Sequence, residues 1–134
     1  MDEKKIYRKE TRELFLYNDI GPEWAGMIDA PMVVAALEEL GSGELDVRIN
    51  SYGGSVDQAM AIIQVLGRHE GTVRVSVDSI AASAASLFPV VFPSVASKGS
   101  RIMIHNPWTF ALGNAKDLRK QADVLDTYRD SMLE

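Results

Sequence analysis

Apolar residues change their spacing along this chain in a regular order, and that order limits the fold more than any other feature. Leu45, Val47 and Ile49 alternate with Asp46 and Arg48, the period of a half-buried strand. From Ser55, a good helix cap, the apolar positions become Val56, Met60, Ile63 and Leu66, a helical spacing. Val73, Val75 and Val77 then alternate with Thr72, Arg74, Ser76 and Asp78. A short helix can start at Ser83, with Pro89 barred from a deep helical interior. Val91 to Ala96 reads as a short strand, and Ile102-Met103-Ile104 as a better one after the Gly99-Ser100 turn.

Both ends of the chain fit the same order. Leu14-Phe15-Leu16-Tyr17 reads as a strand running into Asn18-Asp19-Ile20-Gly21-Pro22. Asp29 reads as the cap of a helix with Pro31 in its first turn, Val33, Leu37 and Leu40 on one face, and Gly41-Ser42-Gly43 as its stop. At the far end Asn114 can cap a helix with Asp117 in its first turn and an apolar stripe of Leu118, Ala122, Leu125, Tyr128 and Met132. Strand then helix, four times over, predicts an α/β fold with right-handed crossovers and a mostly parallel sheet. Residues 1–13 are mostly charged and are expected to form a solvated terminus.

Composition removes several function classes. At 134 residues the chain has the length of one domain. Its net charge of −5, with no Lys/Arg cluster on a helix face, argues against a nucleic-acid partner. There is no cysteine, hence no disulfide or thiol chemistry. Met1 is followed directly by Asp2, Glu3, Lys4 and Lys5, which is no signal peptide, and the apolar stretches are broken by Pro89 and Pro93 short of the roughly 20 residues a bilayer span needs. A cytoplasmic protein without a membrane partner is expected.

Three motifs carry chemistry. Ser83 stands among small residues in Asp78-Ser79-Ile80-Ala81-Ala82-Ser83-Ala84-Ala85-Ser86, at a strand-to-helix turn that can leave a hydroxyl open to substrate. Ser79 and Ser86 are rival nucleophiles, and Ser86, one helical turn on, is expected to face the same way as Ser83. His105 ends the strand Ile102-Met103-Ile104 and precedes Asn106-Pro107. A serine hydroxyl needs such a base, and in a parallel sheet chemistry gathers at the carboxyl ends of strands. Gly53-Gly54, after Ile49-Asn50-Ser51-Tyr52, can offer backbone N–H groups to an oxyanion. A side chain at Gly54 is expected to crowd the substrate or to forbid the φ that the turn needs. His69, between Arg68 and Glu70 at a helix end, reads as a surface residue.

Glycine pair, then serine, then histidine, at these separations, resembles the Clp-type serine peptidases over roughly residues 14–132, most of all the Clp-like head-maturation proteases of tailed phages and prophages. The family patterns are Asn-Ser-Pro-Gly-Gly, Gly-x-Ala-Ala-Ser, and an apolar run followed by His-x-Pro. The resemblance implies a crotonase-like βαβ superhelix with a C-terminal projecting helix, Ser83 as nucleophile, His105 as base, and the N–H groups of Gly54 and Ala84 as the oxyanion hole. It implies no metal and no organic cofactor. The implied partners are peptide or protein substrates, further copies of the chain in a ring, commonly of seven, and, for the bacterial branch, a separate ATPase. The phage branch implies cleavage of capsid or scaffold precursors in the host cytoplasm or the prohead. Two positions depart from the pattern: Tyr52 stands where the family has proline and Ser79 where it has glycine.

The resemblance also implies a third, acidic residue beyond the last helix. Asp117, Asp123, Asp126 and Asp130 lie on that helix, and none takes the family position. Residues 1–134 are therefore expected to be a single Clp-protease-like domain lacking its C-terminal part. Three rival readings stand beside the peptidase: an inactive ring or shell subunit, a crotonase-fold acyl-CoA enzyme, and a Ser–Lys enzyme using Lys98. The second lacks a site carboxylate, and the third leaves His105 unexplained.

Overall fold

The structure, a computed structural model, describes residues 5–104 and 113–133. The chain forms two compact units, Met1–Met103 and Ile104–Glu134.

The first unit is built on one sheet. Its strands are β1 (Tyr7–Arg8), β2 (Glu13–Leu16), β3 (Leu45–Ser51), β4 (Val73–Ala82), β5 (Ser94–Ala96) and β6 (Arg101–Met103). β2, β3 and β4 pair in parallel, and β1 adds to β2 antiparallel. β4 is long enough to take two partners on one edge: β5 lies along Val75–Val77 and β6 along Ile80–Ala82, both parallel. The α-helices of this unit are α1 (Ala30–Leu40), α2 (Val56–Gly67) and the short α3 (Leu87–Val91), so strand and helix alternate from β2 to β5 as the periodicity predicts, while β1 precedes β2 and β6 follows β5 with no helix between.

Alternation along the strands sorts the sheet into two faces. Leu14, Leu16, Leu45, Val47, Ile49, Val75 and Val77 are buried on one side. They join Val33, Ala36 and Leu40 of α1, Ala59, Ile62, Ile63 and Leu66 of α2, and Phe88 of α3 in one apolar cluster. Each such side chain contributes about 1.5–3 kcal/mol by leaving water. The caps form as read: Asp29 accepts from the Met32 N–H at 3.0 Å and Ser55 from the Gln58 N–H at 3.2 Å. Pro89 sits within the first turn of α3, where its missing N–H costs nothing.

The opposite face is polar. Arg48 pairs with Asp78, with Asp46 at 3.0 Å and with Glu13 at 3.8 Å, and Ser76 donates to Asp46 at 2.7 Å. Tyr17 donates to Asp78 as well. The hydrogen bond to Asp78 raises the Arg48 pKa further, against the opposing effect of burial. Burial, then the bond to Asp78, raises that of Tyr17.

The charged N-terminal segment is more ordered than its composition predicts. Phe15 N–H donates to Ile6 C=O at 2.7 Å, tying β1 to the sheet. Arg12, in the left-handed region at φ 55°, sends its guanidinium to the carbonyls of Leu40, Gly41 and Glu44 at 2.7, 3.0 and 2.7 Å. It thereby satisfies carbonyls at the C-terminus of α1. His69 is half-buried rather than a plain surface residue, with its Nε2 2.8 Å from Gly43 C=O.

The second unit contains α4 (Ala115–Leu133). Asn114 accepts from the Asp117 N–H at 2.9 Å and Asp117 accepts from the Asn114 N–H at 3.3 Å, a reciprocal cap. Arg129 pairs with Asp126 at 3.5 Å and Asp130 at 3.1 Å. Leu118 and Ala122 are exposed; Leu125, Tyr128 and Met132 are half-exposed. Among the described residues no helix is long and apolar enough to cross a membrane.

Candidate active site

The site begins with an irregularity in β4. Ile49 pairs with Val77, but Ser51 pairs with Ala81, so two steps along β3 match four along β4. The extra residues lie in Asp78-Ser79-Ile80, where a bulge bends the strand and changes its twist. β4 therefore runs through to Ala82, beyond the Asp78 end that alternation predicts.

Ser83 follows immediately, at φ 56°, and opens a 3-10 turn over Ser83–Ser86. A left-handed conformation costs a residue with a Cβ about 1–2 kcal/mol, so the surroundings must hold it. One holding contact is Ser86, whose Oγ donates to Ser83 C=O at 2.5 Å. Ser83 is half-exposed, whereas Ala84, Ala85 and Ser86 are buried. The expectation that Ser86 faces the same way as Ser83 is thus corrected. The left-handed backbone turns Ser83 off the helical register, and the Ser86 hydroxyl is buried and occupied. Ser79 is exposed within the bulge, and Lys98 is exposed in the turn after β5.

The second turn follows β3. Gly53 has φ 100° and Gly54 φ 133°. Gly53 packs against the serine turn: a Cβ on it would stand 2.6 Å from Ala82 O, 2.9 Å from Ser83 Cβ and 3.0 Å from Ala84 N. Only glycine fits there. A Cβ on Gly54 would instead stand 2.1 Å from Ile20 O. The glycine at position 54 is therefore required by its φ and by the Ile20 backbone.

Backbone bonds divide the N–H groups of this loop. Ile20 N–H donates to Gly53 C=O and Ser55 N–H to Ile20 C=O, each at 2.8 Å. Gly53 N–H is taken by Ser51 Oγ at 3.1 Å. Gly54 is exposed, and among the described residues no acceptor meets its N–H. Ala84 N–H lies in the first turn of the 3-10 segment, where no carbonyl of that turn can receive it. Ala84 is fully buried, and its nitrogen is among the atoms close to the face of Gly53 where a Cβ would stand. One of the two expected oxyanion donors is thus open and the other lies beneath the Gly53 turn.

The third strand end is that of β6, where Met103 pairs with Ala82. Ser83 and the chain leaving β6 therefore start from the same sheet edge. His105, two residues on, lies outside the described residues, as do Asn106 and Pro107. A cleft of about 590 Å³ lined by Arg12, Glu44, Asp46 and Arg74 lies at the amino ends of the strands and includes none of these groups. Ser83, Gly53 and Gly54 lie at the opposite, carboxyl ends of the strands.

A half-exposed serine on a strained strand-to-helix turn, beside a loop whose Gly54 N–H meets no acceptor among the described residues, is an arrangement that acyl-transfer chemistry can use. The comparisons with known proteins give that chemistry a family. Residues 3–134 match the family described as Clp protease. The chain is 31% identical over 129 residues to the ATP-dependent Clp protease proteolytic subunit 1 of Prochlorococcus marinus (strain MIT 9312), covering 90% of this chain and 64% of that protein. The protein of that name from Synechococcus sp. (strain CC9902) is 29% identical, with 95% and 66% covered. The ATP-dependent Clp protease proteolytic subunit of Oltmannsiellopsis viridis is 31% identical, with 89% and 61% covered. The chain belongs to the Clp protease family, and it spans somewhat under two thirds of the length of these relatives.

Sequence reasoning passed over Ser51 and the buried role of Ser86. A signal existed in both cases: a serine two residues before a glycine turn, and one three residues after a turn-forming serine, are both placed to bond local backbone.

Proposed function

We propose that the chain carries the nucleophile and base of a Clp-type serine endopeptidase. The observation that carries this is Ser83 itself, half-exposed in a left-handed turn at the carboxyl end of β4 with Gly53 packed against it. The strain and exposure of Ser83 support this reading over an inactive shell subunit.

In this reading Ser83 Oγ attacks the peptide carbonyl carbon and its proton passes to His105. The tetrahedral oxyanion is held by the N–H groups of Gly54 and Ala84. The C–N bond breaks, His105 gives its proton to the leaving amine, and water repeats the sequence to release the acid. The substrate lies extended along a strand edge. Residues 1–134 act as one Clp-protease-like domain of crotonase-like fold, with the orienting acid supplied from outside the stretch that the resemblance covers.

The relatives are named as subunits of ATP-dependent proteases. By that likeness the chain works within a ring of its own copies, with α4 as a contact. Cleavage of capsid or scaffold precursors is the role its motifs favour, in the host cytoplasm or the prohead; pairing with a separate ATPase is the alternative. The test is digestion of an unfolded protein in ¹⁸O-water by the product of the complete reading frame. New carboxyl termini should carry ¹⁸O, and both Ser83→Ala and His105→Ala should abolish them. Cleavage that survives Ser83→Ala would refute the reading.

A further inference from the structure

Three polar side chains are buried among the described residues: Ser51, Ser76 and Ser86. Ser76 belongs to the Arg48 cluster through Asp46. The other two sit on either side of the candidate site, and each bonds the backbone of one of its two turns. Ser51 Oγ accepts from Gly53 N–H at 3.1 Å, and Ser86 Oγ donates to Ser83 C=O at 2.5 Å. The two residues so held, Gly53 and Ser83, are the pair that touch across the site.

We propose that Ser51 and Ser86 are positioning residues that lock the oxyanion loop and the nucleophile turn against each other. This rests on the peptidase reading of Ser83. Neither hydroxyl is offered to substrate, since Ser51 is 2% and Ser86 3% exposed. Each instead fixes a peptide plane. By occupying Gly53 N–H, Ser51 leaves Gly54 N–H as the exposed donor of the loop. By holding Ser83 C=O, Ser86 keeps Ser83 in the left-handed conformation that turns its side chain outward. Both turns have backbones that depend on such contacts: Gly53 is a glycine at φ 100°, and Ser83 holds a strained left-handed conformation. An error of about 1 Å between nucleophile and oxyanion donors can cost about 10²-fold in rate.

The test uses the product of the complete reading frame and a fluorogenic peptide, with Ser51→Ala, Ser86→Ala and the conservative Ser51→Thr and Ser86→Thr. Each alanine variant is expected to lower kcat by about tenfold to 10²-fold with KM changed by less than about twofold, and each threonine to recover most of the loss. Thermal unfolding serves as the control, with Tm expected to fall by no more than about 8 °C, the size of one lost hydrogen bond. Alanine variants with unchanged or raised kcat overturn the proposal. So does a loss of kcat that threonine fails to recover although Tm is restored. Absence of cleavage in the unsubstituted protein, by contrast, refutes the peptidase reading on which the proposal stands.

Discussion

Gly53 and Ser83 meet across the candidate site so closely that a methyl group on the glycine would lie 2.9 Å from the serine Cβ. One residue supplies the loop and the other the hydroxyl, and the contact fixes their separation. Gly53→Ala has nowhere to go: its Cβ would also stand 2.6 Å from Ala82 O, at a φ of 100°. We predict a loss of about 2–4 kcal/mol in urea unfolding, with peptidase activity lost alongside. Wild-type stability and turnover would show that the two turns are not in register.

Gly54 should behave differently. Its Cβ would meet Ile20 C=O, which accepts from Ser55 N–H. Gly54→Val is therefore expected to destabilise the chain by about 3 kcal/mol or more, read from the urea midpoint. A variant that is fully stable yet inactive would mean that the side chain faces substrate after all.

Arg48 holds together three carboxylates whose side chains are 17–19% exposed. Arg48→Met should cost about 1–3 kcal/mol at neutral pH, discounted for the partial exposure of the guanidinium. The difference should shrink at high salt, which screens a partly exposed charge cluster. A difference independent of salt would assign the loss to packing alone.

The raised Tyr17 pKa sets a pH dependence with a definite sign. The unfolded phenol ionises near pH 10, before the folded one. Its contribution is complete below that pH and is lost as pH rises through the folded value. The Tm gap between the parent chain and Tyr17→Phe should be flat to about pH 9.5 and close above pH 10. A gap that widens there would contradict the assigned bond to Asp78.

Helix α4 leaves Leu118 44% exposed within an apolar stripe. Such stripes usually meet a partner. We predict self-association of the chain by light scattering, reversed by Leu118→Glu with Leu125→Glu. A monomer at high concentration would remove α4 as a contact.

Much of this was legible because period and capping are local. Val47 and Ile49, Asp29 and Ser55, and the Asn114–Asp117 pair each announce their role within a few residues. The two-residue β1 was not legible, because its order comes from backbone pairing with β2 rather than from an apolar pattern. The continuation of β4 past Asp78 was hidden by its bulge, which breaks the alternation that marks a strand. For the site, the small residues around Ser83 and the glycine pair pointed to the right turns. The separate duties of Gly53 and Gly54 depend on contacts with Ser83 and Ile20 from distant segments, which no local pattern encodes; the inward turn of Ser86 follows from the left-handed φ of Ser83, which the small residues around it do not announce.

The central claim is that Ser83 is an activated nucleophile. A fluorophosphonate probe, applied to the product of the complete reading frame and mapped by tandem mass spectrometry, tests it directly. The adduct should fall on Ser83, disappear in Ser83→Ala and His105→Ala, and persist, more slowly, in Ser86→Ala. An adduct on Ser79 or Ser86, or labelling that survives Ser83→Ala, would contradict it.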